Sequence, residues 1–377
     1  MEPVVTRRES APAPALYMAM ELGERQWKLG FSIGRGQPAR IRVVAARDLT
    51  RVAEEIRRAK ARFQVAAEAL AHSCYEAGRD GFWLHRALTC TGVHNLVVDS
   101  ASIEVTRRAR RAKSDKLDVR KLLDMLMRYD GGESKVWSVV RVPTPAQEDN
   151  RQLHRELMTA KEDRTRIILR VKGLLASQGV PGCGRAVLPN FAALRLWNGE
   201  ALRDGLRTRL EREVAKLAVV EEQIQTLVRE RKRLMKNSSD PAIARVRKLL
   251  QVRGIGIESA WVLVMELFAW RTFRNGHQVG AIAGLCPTPY QSGAMRRELG
   301  ISKAGNRRVR ALMVEIAWGW VEFQPQSALA RWFERKYGSA GPAQRKKGIV
   351  AVARRLLVAL WRYLEHGEFP QGAVLKG

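Results

Sequence analysis

The amino-acid sequence predicts an α/β domain, then a long α-helical hairpin, then a mainly α-helical domain. Three observations support this order. Strand-like runs alternate with helical patterns in the first third, an apolar repeat of about 3.5 residues runs through the middle, and helical patterns flank a glycine-rich stretch in the last third. A chain of 377 residues is also long enough for two or three domains.

The first domain is predicted to begin with three consecutive strands. Apolar runs cover residues 16–22, 27–33 and 41–45, with glycines and a proline in the turns between them. The remaining elements follow in chain order: a helix at 48–63, an apolar segment ending at Glu76, a helix at 81–88, a strand at 95–98 and a helix at 113–127. This order is typical of a mixed sheet of the ribonuclease H type.

Two long helices with a coiled-coil repeat are predicted between residues 146 and 235. Apolar residues step by alternating fours and threes through 153–174 and again through 206–234. The stretch 179–190 contains glycine and proline, so the helices can fold back on each other as an antiparallel hairpin. An ordinary pair of bundle helices is the alternative, and either would serve as a spacer or a dimerisation arm.

The polar sequence Asn-Ser-Ser-Asp-Pro at 237–241 marks the start of the last, mostly helical domain with its glycine-rich middle. The predicted divisions are a loose tail at 1–14, the α/β domain at 15–140, the coiled-coil hairpin at 141–240, the C-terminal domain at 241–366 and a second tail at 367–377.

Basic residues far outnumber acidic ones. The chain has 67 Lys and Arg against 38 Asp and Glu, a formal net charge of +29, which is well beyond what solubility requires. Such a field attracts polyanions, and nucleic acid is the most abundant polyanion in a cell. A solvated basic surface is the alternative.

Nothing in the sequence indicates export, membrane insertion or a zinc site. The cysteines Cys74, Cys90, Cys183 and Cys286 stand far apart, without a Cys-x-x-Cys pair. The first residues lack the apolar core of a signal peptide, and no uncharged apolar run is long enough to cross a bilayer. These features predict a cytoplasmic protein that does not act at a membrane.

Four carboxylates are candidate metal ligands. Glu21 ends the first predicted strand, Glu76 ends a later apolar segment, and Asp115 and Asp118 are three residues apart on one helix face. If all four converge at a sheet edge, their repulsion requires a neutralising cation. Mg²⁺ prefers oxygen ligands, and two such ions about 4 Å apart promote phosphodiester cleavage.

A run of basic residues leads into the helix that carries Asp115 and Asp118. Surface ion pairs with this run would equally explain the two aspartates, and the run itself either contacts phosphates or faces solvent. The residues assigned to nucleic-acid contact are Arg107, Arg108, Arg110, Arg111 and Lys113.

Gly254 and Gly256 lie between two helical stretches, in the sequence Val-Arg-Gly-Ile-Gly-Ile. Glycines permit a tight turn whose backbone N–H groups can meet a phosphate at the start of the next helix. The pattern is that of a helix-hairpin-helix, with a plain helix connector as the alternative.

Ser292 is predicted to lie on a flexible turn in the sequence Gln-Ser-Gly, surrounded by positive charge. A hydroxyl in such a field could attack phosphorus, while the cations stabilise the transition state. A hydrogen bond within the turn is the alternative role. Nucleic-acid contacts are assigned to Arg296, Arg297, Lys303, Asn306, Arg307 and Arg308.

Together these motifs resemble the DEDD transposases of bacterial insertion sequences, of the insertion-sequence-110 type, also called bridge-RNA-guided recombinases. The resemblance extends from about residue 16 to residue 366. Its most specific segments occur in order: Lys-Ser-Asp-Lys-Leu-Asp at 113–118, Gly-Ile-Gly at 254–256, Ala-Gly-Leu-Cys-Pro at 283–287, Gln-Ser-Gly at 291–293, Ile-Ser-Lys-Ala-Gly-Asn at 301–306 and the helix-forming stretch at 346–357.

The resemblance implies a RuvC-like N-terminal domain, a coiled-coil region and a C-terminal transposase domain. It implies that Ser292 attacks a DNA phosphate and holds one strand covalently. The carboxylates Glu21, Glu76, Asp115 and Asp118 would hold Mg²⁺ in a composite site shared between domains of different protomers. The implied partners are donor and target DNA, a structured guide (bridge) RNA and further copies of the chain in a dimer or tetramer.

One position departs from the family pattern, because Glu21 stands where the family usually has aspartate. Glutamate is one methylene longer and can still bind Mg²⁺, although octahedral geometry is strict. The favoured interpretation is an adapted site, since the other acidic positions are intact. The alternatives are a junction-resolving nuclease that does not need the serine, and a catalytically decayed DNA- or RNA-binding protein.

Overall fold

The structure is a computed structural model that describes residues 15–79, 81–103, 115–180, 191–292, 295–303 and 305–377. It divides into two compact units, Met1–Pro143 and Thr144–Gly377. Among the described residues, no helix combines the length and the apolar character needed to cross a bilayer.

The first unit is built on a five-stranded mixed sheet. Its strands are β1 Leu16–Leu22, β2 Gln26–Ser32, β3 Arg40–Ala45, β4 Ala71–Glu76 and β5 Val93–Val98, in the order β3-β2-β1-β4-β5. The first three strands pair antiparallel, and β1, β4 and β5 pair parallel. The mixed sheet predicted from the sequence is thus confirmed at the level of an α/β domain.

Three helices accompany the sheet: α1 Leu49–Arg62, α2 Trp83–Cys90 and α3 Asp115–Asp130. The Asp48 side chain caps α1 by accepting a hydrogen bond from the Arg51 N–H at 2.9 Å. The helix predicted to start at Gly81 starts at Trp83 instead, because Gly81 has a left-handed φ of +67° that a helix cannot include.

Strand alternation places two apolar layers on opposite faces of the sheet. Leu16, Met18 and Met20 belong to one core, whereas Ala19 and Cys74 belong to another that includes residues of α3. A Cβ atom on Gly30 would lie 2.4 Å from the Val119 side chain, so only glycine allows α3 to approach β2 this closely.

Two contacts fix the direction of α3 across the sheet. Near the start of β1, the Tyr17 hydroxyl donates to Asp130 at 2.6 Å, at the end of the helix. Further along the sheet, Cys74 Sγ lies 3.7 Å from the Leu122 carbonyl oxygen. The helix therefore runs against β1, and its first turn points toward the end of the sheet where β1 and β4 terminate.

The second unit opens with two long helices, α4 Pro145–Ala176 and α5 Asp204–Asn237. Thr144 and Gln147 form a capping box that begins α4. Arg170 pairs with Glu213 at 3.0 Å, while Leu157 packs in one cluster with Leu227. Since earlier residues of α4 meet later residues of α5, the two helices form an antiparallel hairpin.

The remainder of this unit is mainly helical. Its elements are α6 Pro241–Leu250, α7 Ile257–Leu263, a π-helix Val264–Phe268, α8 Gly276–Ile282, β6 Pro287–Ser292, β7 Met295–Ile301, α9 Arg307–Phe323, α10 Ala328–Tyr337 and α11 Pro342–His366. They enclose one large core in which Trp261 and Trp320 are fully buried.

Glu258 ties this core to the helical hairpin. Its carboxylate lies 2.7 Å from Lys161 of α4 and 2.8 Å from Arg231 of α5. Burial alone would raise the pKa of Glu258, but the hydrogen bonds from Arg231 and Lys161 outweigh it and lower that pKa. The base of the hairpin is therefore held by charge as well as by apolar packing.

Candidate functional site

Two of the predicted carboxylates lie at neighbouring strand ends. Met20 of β1 pairs with Tyr75 of β4 in parallel register, so the next residues, Glu21 and Glu76, stand level with each other. Both lie on the α3 side of the sheet, because each is two residues after a residue of that core, Ala19 in β1 and Cys74 in β4. Glu21 is half-buried and Glu76 is exposed.

The other two carboxylates begin the helix that covers this face. Asp115 is the first residue of α3 and Asp118, which is half-buried, lies in its first turn. The direction of α3 brings that turn toward the strand ends of Glu21 and Glu76, and the positive end of the helix dipole favours carboxylates there. The Asp115 side chain lies outside the described ones.

Lys28 is a residue at this edge that sequence reasoning missed. It pairs with Glu21 across the antiparallel β1–β2 ladder, and directly paired residues project from the same face of a sheet. Only the strand register reveals this, because Lys28 is one polar residue among several in an alternating strand. The acidic edge therefore has a basic neighbour.

Among the side chains that the structure describes, no group of three His, Cys, Asp or Glu residues is close enough to hold a metal ion. Arg107, Arg108, Arg110, Arg111 and Lys113, the basic run predicted to contact phosphates, lie outside the described residues.

The second candidate region is the β6–β7 hairpin. Ser292 is the last residue of β6 and pairs with Met295 at the start of β7. The sequence predicted a flexible turn within a helical domain, whereas Ser292 is the last strand residue before the turn. Arg297 and Arg296 pair in β7 with Tyr290 and Gln291, and the side chains of these residues and of Ser292 lie outside the described ones.

The hairpin continues into a loop that is bonded to the segment preceding it. Ser302 N–H donates to Cys286 at 2.9 Å, Lys303 N–H to Gly284 at 3.1 Å and Asn306 N–H to Ile282 at 2.7 Å. The two predicted motifs at 283–287 and 301–306 thus meet as one backbone platform at the base of the hairpin.

Gly305 is essential to this platform. Its φ is +93°, and a Cβ atom there would lie 2.2 Å from the Ile282 carbonyl oxygen. Three exposed cations lie on either side of Gly305 near the start of α9: Lys303, Arg307 and Arg308. These three cations are free to face a polyanion.

Asn306 is engaged within the protein. Its Oδ1 accepts from the Val309 N–H at 3.2 Å and caps α9, and its Nδ2 donates to Glu266 at 3.1 Å. Sequence reasoning assigned Asn306 to nucleic-acid contact, and in the structure its half-buried side chain links α9 to the π-helix.

Glu266 is the centre of a buried polar cluster. Arg155 forms two hydrogen bonds to its carboxylate, at 2.8 and 2.9 Å, and His154 Nε2 lies 3.0 Å from Oε1. Burial alone would raise the pKa of Glu266, but hydrogen bonds from His154 and Arg155 hold it well below its usual range. The cluster joins α4 to the start of α9.

Gly254 and Gly256 form the turn between α6 and α7, an arrangement shared by a helix-hairpin-helix and a plain helix connector. Gly254 has a φ of +87°, and Gly256 is the N-cap of α7. The segment predicted as a C-terminal tail lies against this turn. The Arg253 N–H donates to Val374 at 3.2 Å, and Lys376 Nζ donates to Ile255 at 2.7 Å.

The model of the family described as "Transposase IS116/IS110/IS902 family" matches residues 246–331, which include the Gly254 turn and the β6–β7 hairpin. A relative in Sinorhizobium fredii, "Putative transposase y4rJ", is 40% identical over 96% of this chain and 95% of its own. "Probable family 20 transposase" of Pseudomonas aeruginosa is 29% identical over 60% of this chain and 66% of its own.

A shorter match is "Transposase for insertion sequence element IS1328" of Yersinia enterocolitica, 33% identical over 29% of this chain and 32% of its own. Each of these relatives is named as a transposase, a putative one or a probable one, and the match from Sinorhizobium fredii spans both structural units. The chain belongs to the IS110/IS116 family of transposases.

Proposed function

We propose that this transposase cuts and rejoins DNA with Ser292 as nucleophile. We also propose that it uses Mg²⁺ bound by the carboxylates of Glu21, Glu76, Asp115 and Asp118. The observation that carries the proposal is the level register of Glu21 and Glu76 on the sheet face covered by α3, whose first turn bears both aspartates. The net charge of +29 supports a nucleic-acid substrate.

The donor set suits the metal. Carboxylate oxygens are the ligands that Mg²⁺ prefers, and the four acidic groups would need a cation between them if they converge at this edge. When bound, the ion would neutralise developing charge on a phosphate group. The Glu21 side chain is one methylene longer than aspartate. It would bind the ion from β1, a strand that is fixed by pairing with β2 on one side and β4 on the other.

The proposed reaction is a transesterification. The Ser292 hydroxyl loses its proton and forms a bond to phosphorus, one P–O bond of the DNA backbone breaks, and the leaving strand end takes up a proton as a hydroxyl. The energy of the phosphodiester is kept in the serine–DNA bond, so attack by a second strand end reverses the step and joins new partners. Exposed Lys303, Arg307 and Arg308 would bind the DNA backbone near the hairpin.

We also include a guide RNA and an oligomer of two or four copies in the proposal. Base pairing with a guide RNA can supply the sequence information for choosing DNA sites, and exchange between two DNAs requires matched active sites. The exposed basic surface would bind RNA and DNA phosphates by the same electrostatic attraction.

The test uses the full chain, a labelled duplex spanning the end of its insertion element, and RNA transcribed from the non-coding segment beside its gene. Wild-type protein should form a denaturation-resistant adduct whose labelled phosphate maps to Ser292. Ser292→Ala should abolish the adduct, whereas Ser302→Ala, an exposed serine at the hairpin base, should retain it.

Each part of the proposal can fail separately. Strand exchange by Ser292→Ala would refute the nucleophile, and strand cleavage by this variant without exchange would favour a hydrolytic nuclease. Full activity of Glu76→Gln with Mg²⁺ would refute the metal site, and unchanged activity without RNA would refute guidance. If activity appears only in Glu21→Asp, the natural chain is a decayed, binding-only protein.

A further inference from the structure

A large basic cleft lies beside the hairpin base in the second unit. It has a volume of about 1260 Å³ and is bordered by α8, α10 and α11 together with Pro287, Gly300 and Ile301 of the hairpin strands. Drug-sized ligands usually occupy about 300–1,000 Å³, so this cleft has room for several linked units of a polymer.

The charge of the cleft favours an anionic occupant. Five of its lining residues are Lys or Arg and one, Glu368, is acidic; the basic ones are Lys336, Lys347, Arg354, Arg355 and Arg362. Among the described residues, none of these five forms an ion pair with a carboxylate. Positive groups without acidic partners are available to phosphate oxygens.

Aromatic rings stand between these cations. Trp332 and Tyr337 both line the cleft and are half-buried. The Arg355 guanidinium carbon lies 3.9 Å from the Trp332 ring centroid, and Lys336 Nζ lies 5.7 Å from the centroid of Tyr337. Bases of an unpaired strand stack on aromatic and guanidinium planes, whereas a duplex keeps its bases stacked on one another.

We infer that this cleft binds an unpaired stretch of nucleic acid, with phosphates on Lys336 and Lys347 and bases stacked on Trp332, Tyr337 and the Arg355 guanidinium. The inference rests on the proposed function in one respect: the cleft lies beside the hairpin that bears Ser292, where strand cleavage would supply a strand separated from its complement. Binding itself requires neither the serine nor the carboxylates.

The test compares two charge-reversed proteins with matched substitutions on the same two helices. Lys336→Glu/Lys347→Glu changes the cleft, and Arg335→Glu/Lys346→Glu changes exposed neighbours that do not line it. Both pairs alter the net charge equally. Fluorescence anisotropy would measure the binding of the full chain to DNA and RNA single strands of about 12 nucleotides and to the matching duplex.

The cleft variant should bind single strands at least about tenfold more weakly than wild type at 0.1 M salt. The slope of its log binding constant against log salt concentration should become less negative by about 1.4, since each of the two lost phosphate contacts on a single strand contributes about 0.7. The control pair should stay near wild type. Equal losses in both pairs, or an equal loss of duplex binding, would overturn the inference.

Stacking has its own readout. DNA and RNA single strands that carry 5-iodouracil should crosslink under light to Trp332 or Tyr337 in wild type. The nucleic acid, DNA or RNA, that gives the higher crosslinking yield is the preferred occupant of the cleft. Crosslinks that map elsewhere would refute the site. Because Ser292→Ala protein should crosslink normally, a failure of the cleft is distinguishable from a failure of the proposed catalysis.

Discussion

The Glu266 cluster allows a prediction whose size follows from its burial. The Glu266 side chain is 2% exposed and its partner His154 is 1% exposed, whereas Arg155 is 32% exposed. In Glu266→Gln, an amide NH2 in place of Oε2 faces Arg155 Nη2 and Asn306 Nδ2, so these two hydrogen bonds are lost. Breaking a buried pair costs about 3–5 kcal/mol. We expect a loss of about 3 kcal/mol, at the lower end, because Arg155 can regain water.

Calorimetry of the full chain at pH 7 would measure this loss. A domain of this size shifts by about 2–4 °C per kcal/mol, so the transition of the second unit should fall by roughly 6–12 °C. Glu315→Gln, an exposed glutamate on α9, is the matched control and should shift little. A fall of less than about 1 °C in Glu266→Gln would refute the account of the cluster.

The pH dependence gives the sign of the effect. The pKa of Glu266 is lower in the folded protein than in the unfolded chain, where a glutamate titrates near 4.3. Its stabilising contribution is therefore complete above that value and is lost as the pH falls toward the folded pKa. The stability gap between wild type and Glu266→Gln should be widest at neutral pH and should narrow on acidification below about pH 4.

Two further predictions test local geometry. Gly305→Ala should destabilise the second unit more than Gly300→Ala, as measured by thermal unfolding: both have a left-handed φ, which costs about 1–2 kcal/mol for alanine, but only Gly305 would also strike a carbonyl oxygen. Equal effects would contradict the platform. In the first unit, burial and the contact with Asp130 raise the pKa of Tyr17 to about 12. Ultraviolet titration, with Tyr17→Phe as reference, should show this ionisation, and Asp130→Asn should lower the pKa only partway because burial persists; an unchanged titration would refute the contact.

Regular alternation made the first domain predictable. The first strand was predicted with the bounds that the structure shows, and the mixed order followed from three adjacent strands and a later alternation of helices. The β6–β7 hairpin was missed because its strands lack an apolar period: β6 contains two prolines, and β7 carries charged residues in its middle. The two strands of this hairpin are held together at their base by the backbone hydrogen bonds of the platform. These bonds join segments that are distant in sequence, so an apolar period cannot predict them.

The positions of the candidate carboxylates in the fold were predictable because they depend on the ends of elements. Glu21 and Glu76 were predicted as strand ends, and their level position adds only the register. Lys28, Glu266 and Trp332 could not be selected, because each depends on a partner distant in sequence. Glu266 did leave a signal, since an acidic residue within the apolar run 261–268 must be paired if it is buried.

Two of the segments that carry the resemblance lie within the range matched by the family model and have structural roles. The segments at 283–287 and 301–306 bond to each other through backbone groups, and Gly305 and Asn306 are explained by close approach and by helix capping. Neither role requires contact with DNA. Because the platform holds both ends of the hairpin that bears Ser292, a change in it would reorient the serine without removing any reacting group. Loss of activity in a motif variant is thus insufficient to assign a catalytic role, and adduct formation must be measured together with the stability of the second unit.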